Sequence, residues 1–184
     1  MEANSRIGIA GLKIINPDGS IQLSCRSFPS YTTALFHRYS LLTRWFPNNP
    51  FSRRYLRMDL SRDRMQEVDW VSGACLLHKR TLLNSIGYLD ESFFMYCEDV
   101  DFCFRAKKAG WQVLYYPAAA VMHHIGGSSS KASRRMILKR HESMWNYYAK
   151  HYRRNFLKDG IVGGAIAFRC FLYLTLSLLG KVKP

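Results

Sequence analysis

The residues best placed to do chemistry are three carboxylates within four positions, Glu98, Asp99 and Asp101, set in Glu91-Ser-Phe-Phe-Met-Tyr-Cys-Glu98-Asp99-Val-Asp101-Phe-Cys-Phe-Arg105. A carboxylate of this kind can take a proton from a hydroxyl nucleophile as a general base. Acids in a first helical turn also stabilise the helix by opposing its dipole, so spacing alone leaves a capping role open. Asp101 stands four residues before Arg105, which predicts a helix-capping role or a local ion pair. Further along, His123 and His124 precede Gly126-Gly127-Ser128. Imidazoles at such a point suit a divalent metal or a diphosphate, and they also suit plain packing.

These groups need a scaffold. Acids open a helix at about Asp99, Lys107 and Lys108 close it, and Gly110 lies just beyond. Trp111 to Tyr116 reads as a strand ended by Pro117. Residues 7 to 15 form an apolar run expected to be a buried strand, and Asn16-Pro17-Asp18-Gly19 is a turn with Ser20 to Ser24 returning as a hairpin. Val68 to His78 reads as a strand broken at Ser72-Gly73-Ala74, with a short helix from Lys79 to Ile86. A long amphipathic helix is predicted from about Ser133 to His151. Alternating strands and helices make an α/β protein.

Composition narrows the field. The chain has 184 residues, 27 basic against 13 acidic, for a net +14, so anionic surroundings are expected. Nine Lys or Arg and one acid, Glu142, lie between Lys131 and Lys158. That run leads into the apolar segment 161–180, near the roughly 20 residues a bilayer span requires, although Arg169 sits in its middle. No zinc-finger or RNA-binding signature accompanies the charge, so the membrane surface is favoured over specific nucleic acid. Five cysteines without CxxC spacing suit a reducing compartment.

The segments Val68-Asp-Trp-Val-Ser-Gly-Ala-Cys-Leu-Leu, Gly87 to Arg105, Gly110-Trp111 and His124-Ile-Gly-Gly-Ser-Ser129 occur in one order. Together they resemble the C-terminal half of family 2 glycosyltransferases of the GT-A fold, especially rhamnosyltransferase-like enzymes of surface polysaccharide assembly. The resemblance implies a partial GT-A sheet flanked by helices, with an amphipathic and apolar helical tail. It implies an inverting transfer from a nucleotide-sugar donor to a lipid-linked or glycan acceptor at the cytoplasmic face of the bacterial inner membrane. Asp99 would be the catalytic base, with Glu98 assisting. Trp70, Ser72, Gly73, Ala74, Asp101, Gly126 and Gly127 would contact substrate. His124, with His123 in reserve, would help to hold Mn²⁺ or Mg²⁺. In the family the main metal-binding Asp-x-Asp precedes everything present here, so Asp99-Val-Asp101 is not that pair and the main ligands are absent from this chain.

The expected organisation is then an acceptor-side catalytic half over 1–130, a basic helical region over 131–158 and a membrane-associated tail over 159–184. A chain that lacks the donor half is expected to be inactive alone. The competing expectation is a non-catalytic basic module that binds membrane or nucleic acid.

Overall fold

In the computed structural model, residues 4–30, 46, 49–124 and 133–180 are described. They form two compact units, Met1–Leu89 with Asp99–His124, and Asp90–Glu98 with Ile125–Pro184.

The first unit is a mixed α/β layer. Its sheet has the order β3-β6-β1-β5, built from β1 (Ile7–Ile15), β3 (Gln66–Glu67), β5 (Leu76–His78) and β6 (Gln112–Met122). β1 is central, parallel to β6 and antiparallel to β5. Ile7, Ile9, Ala10 and Ile14 are all buried, so β1 packs on both faces over most of its length and reads as an apolar run interrupted at Lys13, which pairs with Asp63. A second ladder pairs β2 (Cys25–Arg26) with β4 (Trp70–Val71).

Helices α1 (Pro50–Tyr55), α2 (Arg80–Ile86) and α3 (Glu98–Lys108) complete this part of the chain. Helix α3 buries Val100, Phe102, Cys103 and Ala106. It ends as its sequence requires: Gly110 takes φ 85°, its N–H reaches the Lys107 carbonyl, and the Trp111 N–H reaches that of Ala106.

Two strand expectations are corrected. β6 does not stop at Pro117 but runs to Met122; its pairing jumps from Leu12↔Tyr116 to Lys13↔Ala120, so Pro117 falls in a bulge that needs no donor. The turn at Asn16 to Gly19 forms, but Ser20 to Ser24 returns only as far as a single bridge, Ile15↔Ile21. The chain is drawn off by Cys25 and Arg26, which pair with β4 instead.

The second unit joins the strip Asp90–Glu98 to α4 (Ser133–His151) and α5 (Phe156–Leu178). One face of α4 grips the strip: Ser143 Oγ donates to the Met95 carbonyl at 2.8 Å, Asn146 to that of Ser92 at 3.2 Å, and Lys150 pairs with Asp90 at 2.6 Å. Arg135 and Lys139 lie over Phe94, Arg140 over Tyr96 and Lys150 over Phe93.

Asn155 caps α5, accepting from the Leu157 and Lys158 amides. Helix α5 is long and apolar enough to cross a membrane, with a mean hydropathy of 1.8, and only 6% of its most apolar window is buried. Arg169 does not face outward alone: it stacks on Tyr173, and its charge reaches His141 on α4.

The tightest requirement in the sheet is at Gly11, where an added β-carbon would lie 2.5 Å from Val71 Cβ. Gly11→Ala is therefore expected to destabilise the protein by about 1–3 kcal/mol, through overpacking between β1 and β4. Equilibrium urea denaturation measures it; an unchanged midpoint would show that β4 moves aside freely.

Candidate active site

Asp99 lies in the first turn of α3. Its Oδ2 accepts the Gly73 N–H at 2.9 Å and its Oδ1 accepts the Val100 N–H at 2.8 Å. Gly73 opens a single 3-10 turn, Gly73–Cys75, whose entry is fixed by Ser72: its side chain accepts the Ala74 N–H. The turn lies directly against the carboxylate residue, in van der Waals range of Asp99 Cβ. The small-residue step thus presents a backbone donor to the carboxylate, while Gly73 and Ala74 stay on the accessible surface.

Although Asp99 keeps some exposure, protein crowds its carboxyl. Desolvation is the leading influence and holds its pKa above the usual carboxylate value, against the opposing pull of the Gly73 and Val100 amides and the Arg26 charge. The result is a more basic carboxylate in a fixed orientation. Nearby, burial pushes the Cys103 thiol up to about 12, which keeps it protonated and unreactive.

Arg26 is itself placed by aromatics. Its guanidinium lies 5.3 Å over the Trp70 ring and 5.9 Å over Tyr55. Trp70, expected to meet substrate, is only 6% exposed and donates its indole N–H to the Ser27 carbonyl at 2.8 Å. Its apolar ring is needed in the core under Arg26, so its role is to support the site. Asp69 accepts the Phe28 N–H, and Lys107 reaches Glu67 at 2.9 Å and Asp69 at 3.7 Å.

Asp101 also leaves the substrate surface. Its side chain is 0% exposed and pairs with Arg105 at 2.7 Å, the i,i+4 geometry its spacing predicts. Arg105 goes further and donates to the carbonyls of Ile86 and Tyr88, tying α3 to the end of α2. A fully enclosed carboxylate already matched to a guanidinium cannot meet a sugar.

Glu98, the first residue of α3, is half-buried. Immediately before it, Tyr96 and Cys97 both adopt left-handed backbone, with φ 68° and 66°. Two successive non-glycine residues in this region store strain of order 1–3 kcal/mol each, a frequent companion of functional sites. Arg140 holds this turn, its guanidinium 4.6 Å from the Tyr96 ring centroid and donating to the hydroxyl. Nothing in the sequence announces it, because tyrosine and cysteine are not turn-formers.

His123 is half-buried and tied to Gln22, which contacts its ring nitrogen and donates to its carbonyl; His124 is exposed. Gly126 and Gly127 lie outside the described residues. Among the described residues no group of three or more His, Cys, Asp or Glu converges as a metal site requires. These side chains therefore do not by themselves fit a divalent cation.

Residues 22–142 match the family described as "Glycosyltransferase like family 2". The chain belongs to that family. It is 35% identical over 147 residues to the N-acetylglucosaminyl-diphospho-decaprenol L-rhamnosyltransferase of Mycobacterium tuberculosis, a match covering 80% of this chain and 47% of that protein. It is 39% identical over 51 residues to the rhamnosyltransferase WbbL of Escherichia coli, or 28% of this chain and 19% of that one. A low-salt glycan biosynthesis hexosyltransferase of Haloferax volcanii is 43% identical over 44 residues, 24% of this chain and 14% of that one. The chain spans about half the length of the mycobacterial relative. The mixed α/β sheet with flanking helices and an apolar C-terminal helix accords with the GT-A architecture expected of this family.

Two outcomes test this arrangement. Arg105→Met leaves Asp101 enclosed without its cation and is expected to cost about 3–5 kcal/mol, seen as a lower urea midpoint. Cys97→Val places a branched side chain in left-handed backbone and should cost about 1–2 kcal/mol, whereas Cys97→Gly should leave stability nearly unchanged.

Proposed function

We propose that this chain carries the proton-accepting side of an inverting glycosyltransferase that moves a sugar from a nucleotide-sugar donor to a lipid-linked or polysaccharide acceptor. The observation that carries the reading is the Asp99 carboxylate, held by two backbone amides from different elements and made more basic by desolvation. In the transfer step an acceptor hydroxyl gives its proton to Asp99 while its oxygen bonds to the anomeric carbon. The bond from that carbon to the donor's diphosphate breaks at the opposite face, and the diphosphate leaves with the electron pair. Attack from the face opposite the departing diphosphate inverts the configuration.

Asp99 does two things here. It accepts the proton, and the Gly73 and Val100 amides keep its orientation constant while the charge changes. Glu98 is the assisting acid at the start of the same helix. Family membership and the acceptor class named for the mycobacterial relative support the substrate reading. The exposed apolar α5 and the basic residues before it support work at the membrane, on the cytoplasmic face.

In a transfer-competent preparation containing this chain, Asp99→Asn should reduce turnover by about 10²–10⁴-fold, the contribution of a positioned general base. An unchanged rate would remove Asp99 from catalysis. The raised pKa also sets a pH profile. A base must be ionised, so the acid limb of kcat/KM should fall at a pH above the ordinary aspartate value of about 4. For stability the sign is opposite to that of a salt-bridged acid. The folded state holds the Asp99 proton more tightly than the unfolded chain, so this group's contribution is fullest below about pH 4 and declines as pH rises through the raised value. Urea midpoints taken across pH 4–7 should show that decline in the parent and not in Asp99→Asn.

A further inference from the structure

In the first unit, a cavity of about 500 Å³ is lined by Ser27, Arg53, Arg54, Arg57, Asp59 and Asp69. Its two carboxylates are engaged. Asp59 is held by the Arg57 guanidinium at 3.2 Å, and Asp69 accepts the Phe28 N–H and lies 3.7 Å from Lys107. Arg53 and Arg54 are exposed, and neither guanidinium has an ion-pair partner among the described residues. The charge left over in the cavity is therefore positive and comes from two planar forks, the donor geometry that suits phosphate oxygens.

The backbone around these arginines is built rather than loose. Asn49 caps α1, with its side chain accepting the Ser52 N–H, and Pro50 starts the helix. Ser27 is fastened to the same helix, with its N–H on the Tyr55 carbonyl and its hydroxyl on that of Arg54. Arg26 links the cavity wall to the base: Trp70, on which it stacks, donates its indole N–H to the Ser27 carbonyl. Ser27 follows Arg26, whose charge acts on Asp99, and Asp69 precedes Trp70, on which Arg26 stacks.

We propose that this cavity is a diphosphate subsite, and that the diphosphate it takes is that of a lipid-linked acceptor. The assignment rests on the transferase reading above and deepens it. An acceptor sugar whose hydroxyl meets Asp99 carries its diphosphate on the same ring, so an anion-binding cavity beside the Arg26–Trp70 stack is where such a group would fall. With Asp59 and Asp69 engaged, the charge open to an anion comes from Arg53 and Arg54 together.

The test is calorimetric titration of inorganic pyrophosphate into the whole chain, comparing the parent with Arg53→Gln/Arg54→Gln. Arg6→Gln/Arg80→Gln, which removes the same charge elsewhere on the same unit, is the control. A loss of affinity of tenfold or more in the first variant, with less than twofold in the control, is expected. Equal losses in both would show attraction by net charge alone and overturn the subsite. Thermal melts of both variants confirm the fold, and the single Arg54→Gln change, expected to weaken binding several-fold, serves if the double variant melts early. Competition then identifies the source. Displacement of pyrophosphate by a polyprenyl diphosphate in detergent supports the acceptor assignment; displacement only by a nucleoside-diphosphate sugar, or by neither, overturns it. Asp99→Asn should bind pyrophosphate as the parent does, so failure of the base assignment and failure of the subsite give different results.

Discussion

The arrangement depends first on one guanidinium. Arg105 neutralises the enclosed Asp101 and donates to the carbonyls of Ile86 and Tyr88, so it joins helix α3 to the chain that leaves α2. An enclosed carboxylate without its cation is among the costliest defects a small protein can carry, which makes this pairing close to obligatory. With α3 pinned one turn below its start, the direction of its first turn is no longer free. Asp99 is then presented to the Gly73–Cys75 turn in a single orientation. The buried pair is structural in itself, and its consequence for chemistry is positional.

The way Asp99 is bonded differs from that of a helix cap. A capping carboxylate turns back on its own helix and satisfies amides two or three residues ahead. Asp99 instead takes the amide of the next residue on one oxygen and that of Gly73, 26 positions earlier, on the other. The second bond does nothing for the helix. It brings a separate surface turn up to the carboxylate, and the crowding that results raises the pKa that the bonds themselves would lower. A group whose solvation is reduced while its orientation is fixed has the two properties that proton transfer from a hydroxyl asks for.

Local rules made much of this readable in advance. The bounds of α3 follow from its acids, its lysines and Gly110; the Asp101–Arg105 pair follows from helical spacing; and the run 133–151 reads as a helix by its periodicity. What escaped were choices made across long separations. Trp70 looks like a substrate platform until its indole is found beneath Arg26 and bonded to Ser27. Ser20 to Ser24 looks like a returning strand until Cys25 and Arg26 find a better partner in β4. The left-handed pair Tyr96 and Cys97 has no residue signature at all, and the Tyr96 side chain meets Arg140 of α4, far away in sequence. Propensity is a statement about neighbours in sequence, and tertiary contacts override it.

The same distinction applies to the basic run that precedes α5. Its lysines and arginines suggest a solvated face turned toward anionic lipid, yet Arg135, Lys139, Arg140 and Lys150 lie over the rings of Phe93, Phe94 and Tyr96. These contacts do not remove the charge. A cation on an aromatic face stays ionised, and each such pair adds about 0.5–1 kcal/mol of cohesion at exposed positions. One set of residues can therefore hold the strip Asp90–Glu98 against α4 and still contribute about 1 kcal/mol per cation near an anionic membrane surface. The helix that follows exposes Phe156 to 94%, and Ile166 alone of its described residues is buried. Basic residues on α4 and exposed apolar residues on α5 thus lie in one unit, the two features whose contributions add where a segment meets a membrane surface.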